Sequence, residues 1–89
     1  MVDEKPKNNR KYVVVGNWKC NGTVDWVRQF CTHTLNTMRF TPEKVEVVVA
    51  PVFIHIASAK AMLNTSVHIA TQNISANKNG PFTGEVSAE

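Results

Sequence analysis

The chain has 89 residues, 43% of them apolar and 19% charged, with a formal net charge of +3. These values exclude a disordered, collagenous or fibrous chain and leave room for one globular domain with a modest core. No run of about 18 apolar residues is present to cross a membrane, and the polar start MVDEKPKNNR carries no secretory signal, so a cytoplasmic protein is expected.

The positive charge is concentrated at one end. Lys5, Lys7, Arg10 and Lys11 outweigh Asp3 and Glu4 by two charges, which leaves +1 for the remainder. Beyond the tail the cations are scattered singly and not gathered on a face with aromatics, which argues against a nucleic-acid surface. Cys20 and Cys31 are too far apart for a redox C-x-x-C pair, and no second pair suggests a metal site. Two free thiols are expected, with neither metal nor cofactor. The triplets beginning at Asn21, Asn64 and Asn73 match the glycosylation pattern, but without a secretory signal they read as chance.

In chain order, residues 1–10 are rich in charge, Asn and Pro and predict a mobile extension ahead of one domain spanning 11–89. Tyr12 to Val15 is an unbroken β-branched and aromatic run, as expected of a strand covered on both faces in a parallel sheet. Thr23 to Met38 places Val24, Val27, Cys31, Leu35 and Met38 at spacings of three and four, which predicts an amphipathic helix. That period argues against a hairpin turn at Asn21-Gly22. Thr41-Pro42 breaks the chain before a second strand, Val45 to Ala50, closed by Pro51. Residues 54–63 predict a shorter helix with Ile56, Ala59 and Leu63 on one face. Val67 to Ala70 forms a third strand, and NISANKNGPFTG, residues 73–84, is a long loop without period. Ser87 resembles a helix N-cap with Glu89 in the first turn.

Strand, helix, strand, helix, strand is the pattern of an α/β fold with parallel strands and right-handed crossovers. Three strands leave sheet edges unprotected, so the residues themselves suggest a piece of something larger. In such folds ligands bind at the carboxyl ends of the strands. That rule explains why the valines of VVVGNWKCNG run directly into polar residues: Gly16 to Gly22 is the exit loop of the first strand, and Asn17 and Lys19 are delivered to the rim. A lysine there can neutralise an anionic substrate and stabilise charge developing on oxygen.

The strings VVGNWKCNG, APVFIHIASAK and ATQNISANKNGPFTGEVSAE, in this order and spacing, resemble the triosephosphate isomerase family over residues 10–89, with G-N-W-K-x-N and N-G-x-F-T-G-E especially characteristic. The resemblance implies the N-terminal β-α-β-α-β portion of a (β/α)8 barrel, truncated after the third strand and its interface loop. It further implies an isomerase that interconverts dihydroxyacetone phosphate and D-glyceraldehyde 3-phosphate through an enediolate, in glycolysis and gluconeogenesis, as a cytoplasmic homodimer without cofactor. Asn17 and Lys19 match the family's active-site asparagine and lysine, the lysine binding phosphate and balancing the enediolate charge. The loop from Asn73 to Glu85, with Phe82, Thr83 and Gly84, resembles the interface loop that packs around the partner's first loop. There Thr83 matches the threonine that steadies the partner's Asn17, and Cys20 falls where the loop buries it. Gln72 and Asn73 are expected to organise the loops by hydrogen bonds. His33, His55 and His68 match no motif and are expected to be surface or structural histidines.

The family chemistry uses a glutamate base, a neutral histidine electrophile and a closing loop. The resemblance places the histidine after the fourth strand and the glutamate after the sixth, so the 89 residues alone are expected to be inactive and unstable or aggregated. The competing expectation is a non-catalytic product that binds or perturbs full-length subunits; a basic nucleic-acid module ranks last.

Overall fold

A computed structural model describes residues 10–89. All but Arg10 of the extension expected over residues 1–10 lies outside the described residues. Three strands alternate with two α-helices: β1 (Tyr12–Asn17), α1 (Val24–His33), β2 (Val45–Ala50), α2 (Ile56–Met62) and β3 (Val67–Ile69). The sheet order is β1-β2-β3 with both pairings parallel, Tyr12 opposite Val45 through Asn17 opposite Ala50, and Val47 to Val49 opposite Val67 to Ile69.

Local chemistry sets the helix ends. Thr23 is extended and its Oγ1 accepts the Trp26 N–H at 3.1 Å, capping α1, while Asp25 in the first turn and His33 in the last suit the helix dipole. The Asn21-Gly22 hairpin does not form. Gly22 instead takes φ +104°, and the chain passes from it into the Thr23 cap. The helix expected to reach Met38 stops at His33 and tightens to a single 3-10 turn over Leu35–Thr37. Thr37 supplies a cause: its hydroxyl donates to the carbonyls of His33 and Thr34 at 3.1 and 3.0 Å, competing with backbone donors for the last turn. The second helix is likewise split, with a 3-10 turn at Phe53–His55 ahead of α2.

The C-terminal ends of the two helices are stapled by Asn36. Its amide donates to the Met62 carbonyl at 2.8 Å and its Oδ1 accepts the Asn64 N–H at 2.9 Å. This use of an asparagine expected on the polar face was not apparent from the helical wheel.

Val27, Cys31 and Leu35 from the first helical segment meet Val47 and Val49 of β2, Ala59 of α2 and Val67 of β3 in one core. Successive right-handed crossovers along a sheet ordered 1-2-3 put both helices on the same face. Strand alternation then assigns Val45, Val47 and Val49 to that face and Glu46 and Val48 to the opposite one. Expectation and structure part at β1. Tyr12, Val13, Val14 and Val15 are 78, 57, 56 and 60% exposed, not covered on both faces. β1 pairs with β2 alone, and the helices bury their apolar stripes mainly on β2 and β3. Val24 and Met38, at the ends of the expected helical stripe, are exposed as well. A radius of gyration of 16.4 Å, against about 12 Å for a compact domain of this length, records the open arrangement.

Residues 70–89 contain neither helix nor strand. The loop doubles back where the Ser75 N–H donates to the Val86 carbonyl at 2.6 Å, and a turn at Phe82–Glu85 closes with the Glu85 N–H on the Phe82 carbonyl at 3.0 Å. Gly84 occupies the third position of that turn with φ +83°, where a side chain would be strained. Ser87 Oγ accepts the Glu89 N–H at 3.1 Å, the contact expected of an N-cap.

Candidate active site

Asn17 is the last residue of β1, and the parallel ladder continues one step further as the Trp18 N–H donates to the Ala50 carbonyl at 3.0 Å. The chain then turns sharply. The Asn21 N–H and the Asn21 side-chain amide both donate to the Trp18 carbonyl at 3.1 Å, so Trp18-Lys19-Cys20-Asn21 is a tight turn at the carboxyl end of the sheet. Lys19, its second residue, has φ +54°, the one non-glycine residue with positive φ among those described. Glycine usually fills such positions, and a lysine there costs about 1–2 kcal/mol of backbone strain.

Two side chains hold the strained residue. Asn17 Oδ1 accepts the Lys19 N–H at 2.8 Å. Gln72, just past β3, donates from Nε2 to the Lys19 carbonyl at 2.8 Å and to the Ala50 carbonyl at 2.9 Å. Each such bond contributes about 0.5–1.5 kcal/mol, enough together to offset the strain. Gln72 thus ties the exits of all three strands together. The structure brings Asn17, Lys19 and Gln72 into one hydrogen-bonded unit, with the Lys19 side chain exposed at the rim.

His55 ties the turn before α2 to the end of the first loop. It is buried, and its Nε2 lies 3.2 Å from the Gly22 carbonyl. A carbonyl only accepts, so Nε2 carries the hydrogen and the ring is a satisfied structural histidine. His33 and His68 are exposed. Cys20 is exposed beside Lys19, whereas Cys31 is buried in the core, where burial pushes its thiol above the ordinary value of 9.0. Asn73, Phe82, Thr83, Gly84 and Glu85 are exposed along the outgoing loop. No side-chain hydrogen bond of Asn73 or Thr83 occurs among the described residues.

An aromatic cluster under the turn was not anticipated. The Trp18 indole meets Trp26 edge-on at 5.1 Å between centroids and Phe30 at 5.7 Å, while Trp26 and Phe30 stack at 4.8 Å. The signal was available, since Trp26 and Phe30 are four residues apart and share one helix face.

A one-directional parallel β/α sheet, with a cation and amides gathered at the carboxyl ends of its strands, is consistent with a piece of a β/α barrel. The family model of triosephosphate isomerase matches residues 12–89. The cytosolic triosephosphate isomerase of Oryza sativa subsp. japonica is 42% identical over 80 residues, covering 90% of this chain and 32% of the relative. The chloroplastic enzymes of Fragaria ananassa and Secale cereale are each 43% identical over 79 residues, covering 89% of this chain and 24% and 26% of theirs. The chain belongs to the triosephosphate isomerase family, and its strands and helices correspond to the N-terminal portion of the barrel. It spans 24–32% of the length of these relatives.

Proposed function

We propose that the full-length protein carrying this segment interconverts dihydroxyacetone phosphate and D-glyceraldehyde 3-phosphate, the reaction of glycolysis and gluconeogenesis, and that Asn17 and Lys19 serve it from the first loop. The observation that carries the proposal is the held, left-handed Lys19. A lysine whose backbone is held at a strand exit can bring its ammonium to the phosphate dianion and balance the negative charge of an enediolate. Asn17 sets the lysine backbone through its Oδ1 and keeps its amide N–H2 to donate toward substrate oxygens.

Proton transfer between the two carbons needs a base and an electrophile, which the family resemblance places on later strands. The 89-residue polypeptide therefore contributes binding and electrostatics and does not turn over by itself. In the assembled protein the loop 73–85 packs around the first loop of a second copy, with Phe82, Thr83, Gly84 and Glu85 at the contact. Thr83 reaches the partner's site, and Cys20, beside Lys19, is covered. The compartment is the cytosol. The exposed β1 and loop 73–85 also favour a second reading, in which the polypeptide alone pairs with full-length subunits and perturbs them.

The test is a coupled triose phosphate assay on the full-length protein, its Lys19→Met variant and the 89-residue polypeptide, each made in an isomerase-deficient host. Full activity is expected only in the first, with the variant reduced by about a hundredfold or more and the polypeptide inactive. An active polypeptide, or an unaffected variant, refutes the assignment. Co-purification of the polypeptide with full-length subunits supports the second reading.

A further inference from the structure

We propose that Trp18 is a positioning residue for Lys19, acting through the Trp26–Phe30 pair of α1; the inference rests on the role assigned to Lys19 above. The tight turn of residues 18–21 carries its strain at Lys19, and both flanks of that turn are anchored to one ring. At the near end the Trp18 indole sits edge-on against Trp26 and Phe30. At the far end the Gly22 backbone passes so close to Trp26 that a Cβ on Gly22 would lie 2.9 Å from Trp26 Cε3. Trp26 and Phe30 stack with an interplanar angle of 10°, one turn of α1 apart, and form an apolar platform flanked by the Trp18 ring.

The hydrogen bonds of Asn17 and Gln72 fix the amide and carbonyl of Lys19. They do not fix the corner from which the turn departs. That corner is Trp18, whose N–H is bound to β2 and whose carbonyl accepts both donors of Asn21. With the indole unpacked, only those backbone bonds would hold the corner, and Lys19 could relax toward ordinary negative φ and carry its ammonium off the rim. The platform prevents this, because edge-to-face packing has a preferred geometry that a purely aliphatic contact lacks. Trp26 and Phe30 lie on α1 and touch the indole of Trp18, so they act on Lys19 through the turn that carries it.

The experiment compares Trp18→Leu, Trp18→Phe and Trp26→Leu in the full-length protein. Backbone amide hydrogen exchange is read at Lys19, together with KM, kcat and competition by inorganic phosphate. Trp18→Leu is expected to speed exchange at Lys19 by about tenfold and to raise KM and weaken phosphate competition by about fivefold or more, because a misplaced binding group costs affinity steeply. Trp18→Phe, which keeps an aromatic ring against the pair, restores all three readouts to within about threefold of the parent. Trp26→Leu, at a partly exposed position, gives an intermediate effect and serves if Trp18→Leu does not fold. As a control, Asp25→Asn, which breaks only the exposed pair with Arg28, changes none of them. Unchanged exchange at Lys19 in both leucine variants overturns the proposal. So does equal damage from Trp18→Phe and Trp18→Leu, which would mark Trp18 as general packing. If the parent protein shows no isomerase turnover, the functional reading fails, while exchange at Lys19 and phosphate binding still decide the positioning role.

Discussion

The exposed first strand predicts how the 89-residue polypeptide behaves in solution. Tyr12, Val13, Val14 and Val15 keep 56–78% of their surface in water. Full burial of a valine is worth about 1.5–3 kcal/mol, so leaving more than half exposed forfeits about 1 kcal/mol at each position. Over the strand the loss is about 3–4 kcal/mol, a large part of the 5–15 kcal/mol that holds an ordinary domain together. The strand also has an unpaired backbone edge among the described residues, a template for pairing with another chain. Sedimentation velocity over a concentration series is expected to show dimers and larger species that grow with concentration, and thermal unfolding is expected to be broad. Val13 and Val15 lie on the face opposite the helices, so V13K/V15K places charge on the edge without touching the core and is expected to shift the population toward monomer. A wild-type polypeptide that stays monomeric across the whole series and melts in one sharp transition would refute the reasoning. So would a double variant that associates as strongly as its parent.

Other outcomes can be read in the full-length protein. Gly22→Ala is expected to destabilise by about 2–4 kcal/mol in a denaturant titration, combining positive-φ strain with overpacking against Trp26, whereas Thr23→Ala costs about 1 kcal/mol through the lost cap. Gln72→Ala removes both bonds to the Lys19 and Ala50 carbonyls and is expected to lower stability by about 1–2 kcal/mol while raising hydrogen exchange around Lys19. A thiol reagent at about pH 8 labels Cys20 in the 89-residue polypeptide well before Cys31, because the thiolate is the nucleophile and burial disfavours it at Cys31. The folded Cys31 keeps its proton where the unfolded thiol has lost it, so stability falls as pH rises above about 9. Cys31→Ala is expected to flatten that alkaline limb in equilibrium unfolding measured across the pH range.

Much of the architecture was legible in local pattern. The run from Val45 to Ala50 and the three- and four-residue spacing of Val27, Cys31 and Leu35 are statements about which faces want burial, and the structure buries Val47, Val49 and Ala50 with Val27, Cys31 and Leu35. Helix ends were less legible. Whether Thr37 continues a helix or turns its hydroxyl onto the preceding carbonyls is a close contest that periodicity does not register. At the site, Asn17 and Lys19 were placed on the rim by the strand-exit rule, and Gln72 was expected to bond. Its partners, 53 and 22 residues away, were invisible before the chain folded back.

The order of residues by itself determined the alternation of strand and helix, the parallel winding and the family, because these depend on periodicity and on motifs read within a few residues. Only the tertiary structure decided that β1 would be the exposed edge, that His55 would carry its hydrogen on Nε2 toward Gly22, and that Lys19 would be held left-handed. Each of these is set by what neighbours a residue in space. A strained backbone in particular persists only where contacts from distant parts of the chain outweigh its cost.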